Sequence, residues 1–288
     1  MHRSKYILIG MVACAALLSG CADNPITGRS QFMLVSEETA IADSSRAYQG
    51  LISDLGKQGR LSNDQKLITR IRSITDRLIE QAVNYRPETR QWAWSINAID
   101  DPKTANAFCM AGGRMAVYTG LIEKIEPSDD ELAQVLGHEI SHALLQHSRE
   151  QMSEQMAAGV GVAIIGATAR DSSDDRATLA GLGAAAFILL PHSRTAESEA
   201  DRLGVELAAR AGYHPHAAVT LWNKMLKESG GTSIDFLSTH PAPQKRIEAL
   251  SAIEASMMRF YSEQGRKLKP SRPWTSVAPN ERAILESR

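Results

Sequence analysis

At 288 residues, with 43% hydrophobic and 23% charged content, the chain has the composition of a globular protein that buries a core, in one large domain or two small ones. A formal net charge of −1 offers no basic footprint and argues against a nucleic-acid partner. Aromatic residues are only 5%, and a core built on Ala, Leu, Ile and Met favours helices over a β-sandwich.

The N-terminus reads as a secretory signal. His2, Arg3 and Lys5 precede an uncharged apolar run from Tyr6 to Leu18, too short to span a bilayer comfortably. Its ending, Leu18-Ser19-Gly20-Cys21, resembles the bacterial lipobox, in which cleavage precedes a cysteine that is then lipidated. That resemblance implies acyl chains on Cys21 and stable anchoring, and Ala22 after the cysteine implies the outer membrane. Cys14 leaves with the signal and Cys21 is taken by lipid, so only Cys109 remains and no internal disulfide is expected.

Residues 22–35 read as a tether with a turn at Asn24-Pro25 and Thr27-Gly28. A helix is expected from Ser36 to Leu55, ended by Gly56. A second begins at Ser62, whose Gln65 completes a capping box, with Leu67, Ile71, Ile74 and Leu78 at helical spacing. The period then changes: Trp92, Trp94 and Ile96 alternate with smaller residues as in a strand, and Met115–Tyr118 read as another after Gly112-Gly113. Ser128 caps the next helix, with Asp129, Asp130 and Glu131 in its first turn. Two uncharged stretches, 156–169 and 177–190, are Ala/Gly-rich and short for membrane spans, which favours close-packed helices over a membrane hairpin. Further helices are expected at 195–211, 216–228 and 243–262, before a tail from Gly265 that is loosely ordered or a strap.

The chemistry concentrates in His138-Glu139-Ile140-Ser141-His142. Residues four apart on a helix share a face, so both imidazoles can reach one ion. Glu139, beside them, can reach a water on that ion without binding it. Zinc lowers the pKa of such a water toward ~7, and the carboxylate can take its proton and pass it to a leaving amine. A catalytic zinc takes three protein ligands, and Glu197-Ser198-Glu199-Ala200-Asp201 supplies a third. Glu197 and Asp201 share a helix face, with Glu197 as ligand and Asp201 accepting from a ligand histidine. Glu199 lies about 200° around the wheel and reads as surface or structural. His147, His192, His214 and His216 match no motif and read as surface or capping residues, although a loop at His192 could cover the cleft.

These motifs resemble the HtpX/BepA/LoiP lineage of gluzincin metallopeptidases, related to the CAAX prenyl proteases and to a mitochondrial inner-membrane quality-control protease. The match is carried in order by Asn106-Ala107-Phe108 with Gly112-Gly113, by His138–His142, by Glu197–Asp201, and by Ser238-Thr239-His240-Pro241 with Arg246 six residues on. The lipobox and the lack of internal repeats are closest in layout to LoiP-like lipoproteins. Met110-Ala111 departs from relatives that often carry a proline before the paired glycines. The resemblance implies an α+β, mostly helical zincin-type fold with a small sheet beside the active-site helix. It also implies one Zn2+ per chain, and an extended substrate docking along Gly113, Arg114, Met115, Ala116 and Val117. His240 would sit over the zinc, as an added ligand or an oxyanion stabiliser, and Arg246 would be a structural or electrostatic partner.

The expected organisation is a lipoprotein signal over 1–20, a lipidated tether over 21–35, a zinc metallopeptidase domain over 36–264 and a C-terminal tail over 265–288. The expected function is a membrane-anchored endopeptidase on the periplasmic face of the outer membrane, cleaving misfolded or misassembled envelope proteins, with outer-membrane assembly machinery as a further partner. Two alternatives are a periplasmic chaperone or assembly factor with latent proteolysis, and a lipoprotein with a purely structural zinc. Glu139 argues against the last, since a structural site needs no base.

Overall fold

The computed structural model describes residues 21–168, 191–228, 235–241, 243–262 and 269–275. The expected signal over 1–20, the stretch 177–190 and most of the tail lie outside them. The fold is α+β and mostly helical, as the sequence implies.

Residues 21–35 do more than tether. Strands β1 (Cys21–Asp23) and β2 (Ser30–Phe32) pair antiparallel, and Asn24 and Gln31 are buried beneath them. Both amides donate to the carbonyl of Leu145, at 2.8 and 3.0 Å. They satisfy an orphan acceptor just past a helix end.

Helix α1 (Glu37–Lys57) is capped by Ser36, whose hydroxyl accepts from the Thr39 amide, and it runs through Gly56 rather than ending there. It buries Ala40, Ser44, Tyr48, Ile52 and Leu55 along one stripe. Helix α2 (Gln65–Tyr85) starts two residues later than its capping-box reading. Asp64 is the cap, accepting from Lys66 and Leu67, while Ser62 only accepts from the Asp64 amide. A carboxylate at the N-terminus also meets the helix dipole, which a serine does not.

The sheet has three strands: β3 (Ser95–Ile99), β4 (Ala107–Met110) and β5 (Arg114–Tyr118), in the order β3-β5-β4. Trp92 and Trp94 precede β3 rather than opening it, because a 3-10 turn over Pro87–Gln91 takes up the chain there. Strand β4 was not anticipated. It pairs antiparallel with β5 through a tight turn in which Gly112 and Gly113 have φ of +84° and +81°. A Cβ on Gly113 would fall 2.4 Å from the Trp94 ring, so only glycine fits.

Helix α3 (Thr119–Ile125) leads to α4 (Asp129–Leu144), which is buried almost along its whole length. Ser128 and Glu131 form its capping box. Its other end is held by Arg86, which donates to the Leu144 carbonyl. Helices α5 (His147–Thr168), α6 (Arg194–Arg210), α7 (Ala217–Glu228), α8 (Asp235–Thr239) and α9 (Pro243–Met257) complete the described fold. No helix among the described residues is long and apolar enough to cross a membrane. Residues 269–275 lie against α2, with Trp274 buried and its indole donating to Glu80.

One contact decides how the site assembles. Helices α4 and α6 cross at Gly137 and Gly204, where a Cβ on either would stand 2.8 Å from the other helix's backbone. Two glycines let the backbones touch, which brings the polar face of α4 within reach of the polar face of α6.

Candidate active site

That crossing puts His138, Glu139 and His142 of α4 opposite Glu197 and Asp201 of α6, with His240 arriving from just beyond α8. All six are buried. Nε2 of His138 and Nε2 of His142 are 3.0 Å apart. Glu197 carboxylate oxygens lie 3.6 and 3.4 Å from those two nitrogens. Nδ1 of His240 is 3.2 Å from His138 Nε2 and 3.0 Å from Glu197 Oε1. Four donors at zinc-bond lengths of about 2.0–2.1 Å on a tetrahedron stand about 3.3 Å apart. The observed separations match that spacing, so the donor set fits one zinc ion.

The surrounding charges prepare the ligands. Asp201 Oδ1 is 3.1 Å from His138 Nδ1. A carboxylate only accepts, so Nδ1 carries the proton and Nε2 presents its lone pair to the centre. Arg246 grips Asp201 with two donors at 2.7 and 2.5 Å, and its third nitrogen is 2.6 Å from Glu197 Oε2. Its guanidinium stacks on Trp222 at 3.9 Å, which fixes the fork. Burial opposes ionisation of Glu197, but the neighbouring His240 and His142 hold its carboxyl well below the usual range. Burial lowers His138 and His142, which keeps both imidazoles neutral and able to bind metal.

Glu139 is distinct. Burial pushes its carboxyl up to about 7 against the pull of His240. One of its oxygens, Oε1, is buried with no hydrogen-bond partner among the described residues, His240 Nε2 lying 3.4 Å away. Such an atom is costly unless a water or substrate group meets it. It borders a cavity of about 30 Å3 lined by Cys109, Glu139, His142, His192 and His240, enough for a single water.

Residues 65–254 match the profile of Peptidase family M48. The chain belongs to that family. Among its relatives are the mitochondrial metalloendopeptidases OMA1 of Schizosaccharomyces pombe, 32% identical over 78% of this chain and 64% of that protein, and of Arabidopsis thaliana, 35% identical over 60% of this chain and 34% of that protein. The Beta-barrel assembly-enhancing protease of Escherichia coli is 28% identical over 65% of this chain and 39% of its own length. The chain thus spans from a third to about two thirds of these relatives. The M48 family is zinc-dependent, and the cluster of His138, His142, Glu197 and His240 could hold one such ion.

The residues expected to hold the metal come together with Glu139, Asp201 and Arg246, and other expectations change. Strand β5, with Arg114, Met115, Ala116 and Val117, is the central strand, bonded to β3 on one side and β4 on the other. Gly113 lies in the turn before it, its amide donating to Met110 and its carbonyl accepting from Ser95. Their backbone groups are already used and present no edge. The outer edge of β4 has no strand partner among the described residues, and its Cys109 amide lies against Glu139. The strand order, which is not sequential, conceals this from a linear reading.

Of the histidines read as surface or capping residues, His147 is buried at the site and His192 lies over it, as a loop covering the cleft would place it. His192 stacks on His142, with ring centroids 4.0 Å apart, and its amide donates to the Thr239 carbonyl. Burial, then His240, pushes its pKa down to about 3. His147 is buried against the far edge of His142. Glu199 is only 16% exposed at its side chain and bonds His147 and Arg29, so it does not belong to a solvated face. His214 and His216 do lie in a partly exposed turn, where His216 pairs with Glu254. Cys21 is exposed at the start of β1.

Proposed function

We propose that the chain is a zinc endopeptidase that hydrolyses internal peptide bonds in unfolded or misassembled envelope proteins. The observation that carries this reading is the converged set of His138, His142 and Glu197 beside a buried Glu139 oxygen that makes no hydrogen bond among the described residues. Zinc, when bound, supplies a Lewis acid that lowers the pKa of a water and polarises a peptide carbonyl. Glu139 would take a proton from the attacking water and deliver it to the leaving amine, a role suited to a carboxyl that burial pushes up to about 7. An extended substrate adds to the outer edge of β4, next to Glu139, so that backbone pairing provides affinity with little sequence selectivity.

The layout is LoiP-like: lipidation at Cys21 holds the protein on the periplasmic face of the outer membrane, and the ribbon after Cys21 docks directly on the domain. In this position misassembled outer-membrane proteins and their assembly machinery are within reach. The name of the beta-barrel assembly-enhancing relatives supports that partner class.

A latent form of the same enzyme, acting mainly as an assembly factor, takes support from a specific contact. His240 Nδ1 stands where a fourth ligand would, and the hydrogen bond from His192 to Thr239 ties two covering segments together. His240 therefore restrains the resting site and must move for substrate to enter. The test is cleavage of an unfolded envelope protein by the purified lipid-free chain. Cleavage that is abolished by chelator and restored by zinc supports the enzyme. Binding without any cleavage under all metal conditions would leave only the assembly role.

A further inference from the structure

His147, Glu199 and Arg29 stand outside the chemistry described above, yet they are joined to it in an unbroken line. Nδ1 of His147 lies 2.8 Å from Nδ1 of His142. Nε2 of His147 lies 3.1 Å from Glu199 Oε2. Arg29 donates through Nε to both Glu199 oxygens, at 2.9 and 3.0 Å, and through its other two nitrogens to Glu150, at 2.7 and 2.6 Å.

The proton positions along this line follow from which groups can only accept. Arg29 pairs with Glu199 and donates to both of its oxygens, so the carboxylate faces His147 as an acceptor. The proton between Glu199 and His147 therefore belongs to Nε2 of His147. In the neutral ring Nδ1 of His147 is then a lone pair, and it accepts from Nδ1–H of His142. That leaves the lone pair of His142 on Nε2, the atom 3.0 Å from His138 Nε2 at the metal centre. Reversing any one proton would turn His142 Nε2 into a donor and abolish it as a ligand.

We infer that His147 and Glu199 are positioning residues for His142: a histidine–carboxylate relay fixes the tautomer of that ligand as Asp201 directly fixes that of His138. Glu199 and Asp201 thus serve the two ligand histidines from the same helix that supplies Glu197. Arg29, from the loop of the β1–β2 ribbon, anchors the relay's outer end. The segment that follows Cys21 thereby becomes part of the site's support. His147 is not itself a ligand, because it meets His142 on the ring edge opposite the metal centre.

The inference rests on the zinc reading, and the two fail separately. In the full chain, zinc dissociation constants from chelator competition and the visible absorption of the cobalt-substituted protein are measured for wild type, His147→Leu, His147→Gln and Glu199→Gln. Loss of such an outer partner weakens metal binding by about 10–100-fold, and this is expected for His147→Leu with an altered cobalt spectrum. His147→Gln, whose amide can accept from His142 and donate to Glu199, should recover most of the affinity. Should His147→Leu not fold, Glu199→Gln carries the test, with an expected loss in the same range. Wild-type affinity and cobalt spectrum in a folded His147→Leu or in Glu199→Gln would overturn the relay. A wild-type chain that binds no zinc would instead overturn the proposed function.

Discussion

Replacing Gly204 by alanine sets helix propensity against the crossing that builds the site. In an unobstructed helix interior the change is favourable by about 0.5–1 kcal/mol. At Gly204 the new Cβ would lie 2.8 Å from the His138 backbone nitrogen and 2.9 Å from its Cα. Ordinary contact begins at 3.4 Å, so α6 must retreat from α4 by about 0.6 Å, the difference between those distances. Backbone cannot rotate aside as a side chain can, and overpacking of this kind costs typically ~1–3 kcal/mol. Against the propensity gain, a net loss of up to roughly 2.5 kcal/mol remains, which lowers Tm by up to roughly 10 °C for a domain of this size. The residue displaced is the proposed ligand His138, so zinc affinity should fall as well. Gly50→Ala is the control: the same chemical change on exposed α1, with nothing within 4 Å of the new Cβ, should raise Tm slightly. Thermal melts and chelator competition on both variants decide it. If Gly204→Ala melts higher than wild type and keeps its zinc, the glycine contact does not position the site.

Other expectations concern individual side chains. Glu197→Ala should abolish stable zinc binding, while Asp201→Ala should weaken it by about 10–100-fold, as read by chelator competition. His240→Ala should raise the basal cleavage rate of an unfolded substrate at unchanged zinc content, because it removes the group at the fourth position. A depressed rate would make His240 a transition-state donor, for which ~10²–10³ is the usual scale. Mass spectrometry of the mature wild-type N-terminus should show acylated Cys21, and Cys21→Ser should leave it unmodified and the protein released from membranes.

Much of the site was legible because its spacing is local. His138 and His142 are one turn apart on a helix whose cap, Ser128, stands in plain sequence, and Glu197 and Asp201 repeat the same spacing on another. What escaped depends on contacts between distant segments. Gly137 and Gly204 carry no pattern of their own, and only the crossing gives them meaning. Glu199 reads as surface or structural on the helical wheel, and only α5 and the β1–β2 ribbon, which bring His147 and Arg29 to it from 52 and 170 residues away, decide for the second. Strand β4 is uniformly buried, so it shows no alternation. Its insertion between β3 and β5 in sequence, but outside them in space, moved the free edge from β5 to β4. The Ser62 cap was displaced by Asp64 two residues on, a competition between two good caps that sequence spacing alone leaves undecided.

The most direct test of the account is single-turnover cleavage of an unfolded protein by zinc-loaded Glu139→Gln beside zinc-loaded wild type. The substitution leaves His138, His142 and Glu197 intact and removes only the proton acceptor. The account predicts full zinc content and a cleavage rate lower by at least ~10²-fold. Cleavage at the wild-type rate by the metal-bound variant would contradict it.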